Sequence, residues 1–136
     1  MSRRDPLARV TEAQVMRATE AALHLAQARG IIGAFWRTNS GGLGQRADGT
    51  LRPLRSTPGI GDWTVILVSG VHAELECKRP RGGVWSEAQR VHAQRVVRAH
   101  GAYAIVRSGD EAMRAIEALA AGQRFWSGNE REEIDR

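Results

Sequence analysis

Residues 59–82, "GIGDWTVILVSGVHAELECKRPRG", determine the fold, because two strand-forming runs flank a short turn there. The first run covers 63–68, a Ser-Gly pair marks the turn, and the second run covers 71–78. Together they predict an antiparallel hairpin. Small or apolar residues alternate in the second run with acids and a lysine, so Glu76 and Lys78 are expected on one face of the sheet.

The rest of the chain predicts helices and further strands around this hairpin. A helix, a loop and a parallel strand follow it as one β-α-β unit. The resulting fold class is α/β, a small mixed central sheet flanked by helices in the order α-β-β-β-α-β-α. The other predicted elements are a helix at 11–30, a strand at 31–36, a long loop at 37–62 with a short strand considered at 50–54, a helix at 86–101, a strand at 102–108 and a helix at 109–122.

Composition is that of one soluble globular domain, assigned to residues 1–126 and followed by an acidic, flexible tail at 127–136. The single cysteine excludes an internal disulfide, and the four histidines have no zinc-site spacing. The start of the chain has no apolar segment typical of a secretory signal, so the expected compartment is the cytoplasm. The net charge of +5 favours a polyanionic partner such as nucleic acid, although an arginine-rich coding bias would give the same composition.

Lys78 is the only lysine among 20 basic residues. A lysine can act as a compact cation, and burial can lower its pKa enough for it to help orient or deprotonate water, which arginine cannot do. A three-residue turn at 69–71 would pair Asp62 with Lys78 on the face that also carries Glu76, whereas a two-residue turn would place Asp62 on the opposite face.

Two converging carboxylates are typical of a Mg²⁺ or Mn²⁺ site, to which the backbone carbonyl of Cys77 could add a neutral ligand. The alternative interpretation is an ordinary exposed strand pair, Glu76 with Lys78, and a turn residue at Asp62. The tripeptide E-x-K alone does not separate these interpretations.

Several motifs in order carry a resemblance to a known family. They are Gly59, Gly61 and Asp62 before a strand, Glu76 and Lys78 at the end of the next, Ser86 and Gln89 opening a helix, Gly101 to Ser108 leading into the last strand, the segment with Arg37, Asn39, Ser40 and Gly41, and "TEAQV" at the first helix. This order resembles the VRR-NUC family of the PD-(D/E)xK nuclease superfamily across residues 11–115.

The resemblance implies a restriction-endonuclease-like core and a divalent-metal-dependent phosphodiesterase acting on DNA. Asp62 and Glu76 would then bind metal together with the Cys77 carbonyl, and Lys78 would position or activate water. A first-helix glutamate would complete the outer shell of the metal. Glu12 fits the family pattern better, and Glu20, two helical turns later, remains the other candidate.

Gln89 has two possible roles, because "SEAQ" is also a capping box that would fix the start of the second helix. The substrate-binding candidates are Arg37, Asn39 and Ser40 by resemblance, and Arg79 and Arg81 as phosphate contacts beside the metal. A solvated helix face explains the latter arginines equally well. The four tryptophans are expected in the core or at an interface rather than as stacking platforms.

These observations predict an endonuclease that hydrolyses DNA phosphodiester bonds, selective for structure rather than sequence, because no base-reading motif is evident. Branched substrates, as for a Holliday-junction resolvase, or flaps are the expected DNA, and a homodimer would let each copy cut one strand. The alternative is a DNA-binding or assembly module that retains the fold without turnover.

Overall fold

The structure, a computed structural model, describes residues 4–38, 43–53 and 57–135. None of the helices in these ranges is long and apolar enough to cross a membrane. In chain order the elements are a short 3-10 helix (Pro6–Arg9), α1 (Glu12–Ala28), β1 (Ile32–Arg37), β2 (Leu43–Gln45), β3 (Leu51–Pro53), β4 (Trp63–Leu67), β5 (His72–Cys77), α2 (Glu87–Arg98), β6 (Ala102–Val106), α3 (Gly109–Ala120) and β7 (Phe125–Ser127).

A five-stranded mixed sheet in the order β1-β4-β5-β6-β7 forms the centre of the fold. The β1–β4 and β4–β5 pairs are antiparallel, whereas β5–β6 and β6–β7 are parallel. The predicted mixed α/β class, the hairpin and the parallel β5–β6 pair are therefore confirmed. The strands β2 and β3 form a separate two-stranded sheet inside the long predicted loop.

Helices cover both faces of the central sheet. On one face α1 and α3 enclose a large core that includes Leu23, Leu75 and Ile116. On the other face α2 covers a smaller core built around Ala93 and Tyr103. The alternation in β5 places its apolar residues toward the large core, so its acids are buried on the α2 side rather than exposed to water.

The strand β7 was missed from the sequence, because three residues are too few for an alternation pattern. It adds to β6 in parallel, with Tyr103 opposite Phe125. A tertiary partner, β6, rather than local propensity, makes this segment a strand.

Residues 127–135, predicted as a flexible acidic tail, lie against the body of the protein. Glu132 accepts two hydrogen bonds of 2.6 Å from the guanidinium of Arg107, and the Ser127 hydroxyl donates a third. Burial raises the pKa of Glu132, but these hydrogen bonds outweigh it and leave the pKa below its usual value. Arg107, which follows β6, thus gives one acid of this segment a partly buried cationic partner.

Candidate metal centre

The loop that leads into β4 carries Asp62 and is fixed from two sides. Gly59 has a φ of +80°, and a Cβ on it would lie 2.2 Å from the Ala88 carbonyl oxygen, so only glycine lets the loop lie against the start of α2. The amide of Gly61 donates a 2.8 Å hydrogen bond to Glu74 on β5. Asp62 is therefore held between α2 and the sheet.

The register of the hairpin corrects the predicted pairing. Trp63 pairs with Leu75, and the Leu67 amide donates to the Val71 carbonyl at 3.0 Å, so the connecting loop is 68–70 instead of 69–71. The same register continued by one residue places Asp62 opposite Glu76, not opposite Lys78. Because side chains alternate between the two faces of a sheet, a register shift of two residues leaves Asp62 on the face that carries Glu76. The two carboxylates therefore still converge.

Three carboxylates from three elements meet at this edge of the sheet. Glu12, Asp62 and Glu76 each offer an oxygen, and these atoms all lie within 4.8 Å of one another. Glu12 is exposed at the first position of α1, whereas Asp62 and Glu76 are 7% and 3% exposed. We call these three residues the acidic trio.

Glu76 is the most electrostatically perturbed member of the trio. Burial, and next the neighbouring charge of Asp62, raise its pKa to about 8, although the nearby Lys78 cation works in the opposite direction. Its Oε2 atom is buried and has no hydrogen-bond partner among the described residues. A buried, unpartnered carboxylate oxygen beside another acid is stabilised by a cation, and so the trio fits one.

Asp62 is tied to the strand that carries Glu76. The backbone amide of Cys77 donates a 2.8 Å hydrogen bond to Asp62 Oδ2. Burial raises the pKa of Asp62, and this hydrogen bond opposes the rise. The Cys77 thiol itself lies in the large core on the opposite face, where burial raises its pKa to about 12, so its side chain takes no part in the trio.

Lys78 directly follows β5 and lies beside the acidic trio. Its Nζ lies 3.4 Å from Glu76 Oε1, its side chain is 13% exposed, and its backbone amide donates to the Val106 carbonyl. A cavity of about 510 Å³ opens here, with Glu12, Lys78 and Arg79 in its lining. Lys78 therefore lies beside the trio and also lines a space that solvent or a ligand can enter.

Gln89 combines the two roles that its sequence context allows. Its side-chain Oε1 accepts a 2.8 Å hydrogen bond from the backbone amide of Ser86, and its backbone amide donates to the Ser86 hydroxyl. These two hydrogen bonds complete the capping box of α2. Its Nε2 meanwhile donates a 2.8 Å hydrogen bond to Glu76 Oε1. One side chain thus caps the helix and orients a carboxylate of the trio.

The other predicted site residues lie around the trio or away from it. Glu20 is outside the trio and sits 3.9 Å from His24. Arg37 is the last residue of β1 and pairs with Trp63, and its positive charge lowers the pKa of Asp62. Arg81 forms a salt bridge of 2.7 Å with Asp5. Asn39 and Ser40 lie outside the described residues.

Glu74 and His92 are candidate functional residues that were not predicted from the sequence. Glu74 is 3% exposed and accepts hydrogen bonds from the Gly61 amide and from His92 Nε2, both at 2.8 Å. This pair connects β5 and α2 to the loop of Asp62. The spacing of Gln89 and His92, three residues apart on one helix face, together with the shared face of Glu74 and Glu76, was the available signal.

Oxygen donors of this kind suit a hard divalent cation. Mg²⁺ and Mn²⁺ prefer carboxylate, carbonyl and water ligands, and Mg²⁺ sites often include phosphate oxygens of the substrate. Glu12, Asp62 and Glu76 are the residues that would hold such an ion.

Comparison with known proteins adds no assignment. No family model matches the sequence, and no curated protein and no solved structure matches the chain at a significant level.

Proposed function

We propose that this protein is a divalent-metal-dependent endonuclease that hydrolyses phosphodiester bonds in DNA. The observation that carries the proposal is the acidic trio with Lys78 Nζ 3.4 Å from one of its carboxylates and a cavity beside it. Glu76 Oε2 is buried and has no hydrogen-bond partner among the described residues, so a bound cation would give this oxygen the partner that it lacks.

A bound Mg²⁺ or Mn²⁺ would supply Lewis acidity toward a phosphate oxygen and lower the pKa of water. The residues of the chain do the rest. Glu12, Asp62 and Glu76 hold the ion, and Gln89 and the Cys77 amide fix the orientation of two of these carboxylates. Lys78 places a compact positive charge where negative charge develops on the phosphate, and it orients the attacking water.

The charge of the chain supports DNA as the substrate. The net charge is +5, although residues 127–136 alone contribute four acids. Arg79 lies in the lining of the cavity beside Lys78, where it can contact a phosphate. We propose branched or flap-containing DNA as the substrate and a homodimer as the active form, with each copy cutting one strand.

The test is cleavage of a labelled panel comprising single strand, duplex, flap, splayed arm and four-way junction, each with Mg²⁺, Mn²⁺ or EDTA. Metal-dependent cutting by the wild type is expected, with a loss of more than about 100-fold in Lys78→Ala. Lys78→Arg serves as the matched control for charge, and it is expected to stay inactive because the larger, planar guanidinium cannot take the position of the compact ammonium group.

DNA binding that survives EDTA, with no cutting of any substrate, would overturn the nuclease proposal in favour of a non-catalytic DNA-binding module. Sedimentation of the protein with and without a junction would test the homodimer separately.

A further inference from the structure

A second cation lies beside Lys78 at the carboxyl ends of β5 and β6. Cys77 pairs with Val106 in the parallel register of these strands, so the next residues, Lys78 and Arg107, are neighbours. The guanidinium of Arg107 donates a 3.3 Å hydrogen bond to the carbonyl of Gly83, which lines the cavity of about 510 Å³ together with Lys78. Arg107 therefore extends the positive edge beside the acidic trio by one strand, about 5 Å.

A carboxylate of the same chain occupies the guanidinium of Arg107. Both oxygens of Glu132 accept hydrogen bonds of 2.6 Å from it, and the Ser127 hydroxyl donates a third, of 2.7 Å. Burial raises the pKa of Glu132, but these hydrogen bonds and the charges of Arg107 and Lys78 outweigh it and keep the group ionised. Arginine holds a phosphate with the same fork of two N–H donors, so Glu132 lies where a phosphate would bind.

The segment that supplies this carboxylate, residues 129–135, is attached to the body by few contacts. None of its residues is buried, and Glu132 and Ile134 are the two that are half-buried. Besides the Glu132 pair, Gln94 donates a 3.3 Å hydrogen bond to Asp135, and Ile134 packs against the smaller core. No backbone hydrogen bond joins the segment to the rest of the described chain. A segment held in this way can open while the domain stays folded.

The charge of the segment opposes that of the edge it covers. Residues 129–135 contain four acids and one arginine, a net charge of −3. Asn129 and Arg131 of the segment line a cavity of about 530 Å³ together with Arg81 and Arg107 of the body. Withdrawal of the segment would widen this space beside both arginines of the body. A polyanion is therefore the ligand that competes best with the segment.

We propose that Arg107 binds a phosphate of the DNA next to the scissile one, and that Glu132 occupies this position until the DNA displaces it. The proposal rests on the proposed nuclease function, because it adds a phosphate-binding residue to the same site. Binding of DNA is then weakened by the fraction of protein in which the segment is closed. A salt bridge that only stabilised the fold would not compete with DNA.

The first experiment measures binding of a labelled duplex and a labelled four-way junction by fluorescence anisotropy in EDTA, without cleavage. Glu132→Gln is expected to bind both about tenfold more tightly than the wild type, because the neutral amide competes poorly with a phosphate for Arg107. Glu133→Gln is the matched control. It removes the same charge from the exposed neighbouring residue, and it should change the affinity by less than about threefold.

A double-mutant cycle shows whether this gain acts through Arg107. In the Glu132→Gln background, Arg107→Ala should weaken binding about tenfold and reduce its salt dependence by about one phosphate contact. In the Arg107→Ala background, Glu132→Gln should give no larger gain than Glu133→Gln does. Thermal unfolding of each variant checks that it is folded.

Hydrogen exchange of the wild type, followed by NMR, tests the displacement without any substitution. The amides of Arg131 and Glu132 both donate to Asn129 within the segment. They should exchange faster when DNA is bound, whereas the Tyr103 amide, which donates to the Arg124 carbonyl beside β7, should be unchanged. Equal or slower exchange of the two segment amides in the DNA complex would overturn the proposal.

Failure of this proposal can be distinguished from failure of the nuclease. If folded Glu132→Gln binds DNA no more tightly than Glu133→Gln, or keeps its gain without Arg107, the proposal falls even if the wild type cuts DNA. A gain that requires Arg107 supports it even if the wild type cuts none of the substrates, and then only the nuclease proposal falls. Absence of DNA binding by every variant would overturn both.

Discussion

The two helices that meet at the trio begin with almost the same four residues. Residues 11–14 are TEAQ and residues 86–89 are SEAQ, and each forms a complete capping box at the start of its helix. In both helices the hydroxyl accepts from the amide three residues later, and the glutamine reaches back to the cap amide. Locally the two motifs are equivalent.

Their tertiary roles are exchanged. In α1 the glutamate, Glu12, faces Asp62 and Glu76, and the hydrogen bonds described for Gln14 are those of the capping box alone. In α2 the glutamine, Gln89, faces Glu76, while Glu87 has a side chain that is 71% exposed and is paired with Arg90. Because residues two apart on a helix point about 200° apart, the direction from which each helix approaches the trio selects one residue or the other. A capping motif thus fixes the start of a helix, and the fold determines which of its residues has a further role.

The largest expected difference is between the two glutamates. Glu12→Gln should reduce metal-dependent cleavage by more than about 100-fold, because a direct ligand is expected to matter more than the outer partners of a metal site. Glu87→Gln removes the same charge at the equivalent position and should leave turnover within twofold. Equal loss in both variants would contradict the assignment of Glu12 to the trio. Cleavage rates at saturating Mn²⁺ and Mn²⁺ titrations by calorimetry provide the measurements.

The glutamines should show the opposite pattern. Gln89→Ala is expected to cost roughly 10- to 100-fold in activity, because it removes the hydrogen bond that orients Glu76. Gln14→Ala should lower stability by a similar amount without changing activity, since both variants lose the same capping interaction. Thermal unfolding and single-turnover cleavage of the two variants separate these effects. A loss of activity in Gln14→Ala would mean that capping alone explains the role of Gln89.

The titration of Glu76 should depend on one glutamine and not on the other. In the ion-free protein the pKa of Glu76 is about 8, above the usual 4.5, so the folded state holds more protons between these values. The contribution of Glu76 to stability should therefore be complete below a pH of about 4.5 and be lost as the pH rises to about 8, and Mn²⁺ should bind more tightly as the pH rises through this range because it competes with the proton.

Gln89→Ala should move the midpoint of this titration upward, because the ionised carboxylate loses a donor, whereas Gln14→Ala should leave it unchanged. Melting temperatures measured in EDTA from pH 5 to 9 give the slope of stability against pH. Glu76→Gln is the control and should flatten it; a slope that persists in Glu76→Gln belongs to another group.

The smallest effects are expected from the two cap hydroxyls. Thr11→Ala and Ser86→Ala should each destabilise the protein by about 1 kcal/mol, measured by urea unfolding. Ser86→Ala should in addition lower activity a few-fold, because Gln89 loses one of its fixed contacts. Indistinguishable activities in the two variants would show that Gln89 is held well enough by Ser86 backbone and Glu76 alone.

Much of this arrangement was predictable because it depends on local sequence. The N-cap at Thr11, the box at Ser86, the alternation in β5 and the parallel β5–β6 pair all follow from patterns within one or two elements. The pairing of Asp62 was wrong by two residues. The deciding detail is Gly70, which takes a φ of +88° as the third residue of a three-residue loop, the position at which such hairpin loops require a left-handed residue.

Other features depend on contacts between distant segments and have no local signal. The hydrogen bond from His92 to Glu74 joins residues 18 apart, and Arg107 pairs with Glu132 at a separation of 25. Trp36 was expected in a core or at an interface, and its half-exposed position excludes the core; hydropathy alone does not distinguish a buried strand from one at the edge of a sheet.

The position of Gly59 has an evolutionary consequence. A side chain there would meet backbone atoms of Ala88 at 2.2 and 2.6 Å, and no substitution elsewhere can remove a backbone atom. Lys78 and Glu12, by contrast, can be replaced without disturbing the packing of the loop. If the proposed function is correct, a lineage that loses the activity should therefore change Lys78 or Glu12 first and retain Gly59. In a set of diverged copies, glycine at this position would trace the ancestry of the fold, and lysine at 78 would separate those still under selection for turnover.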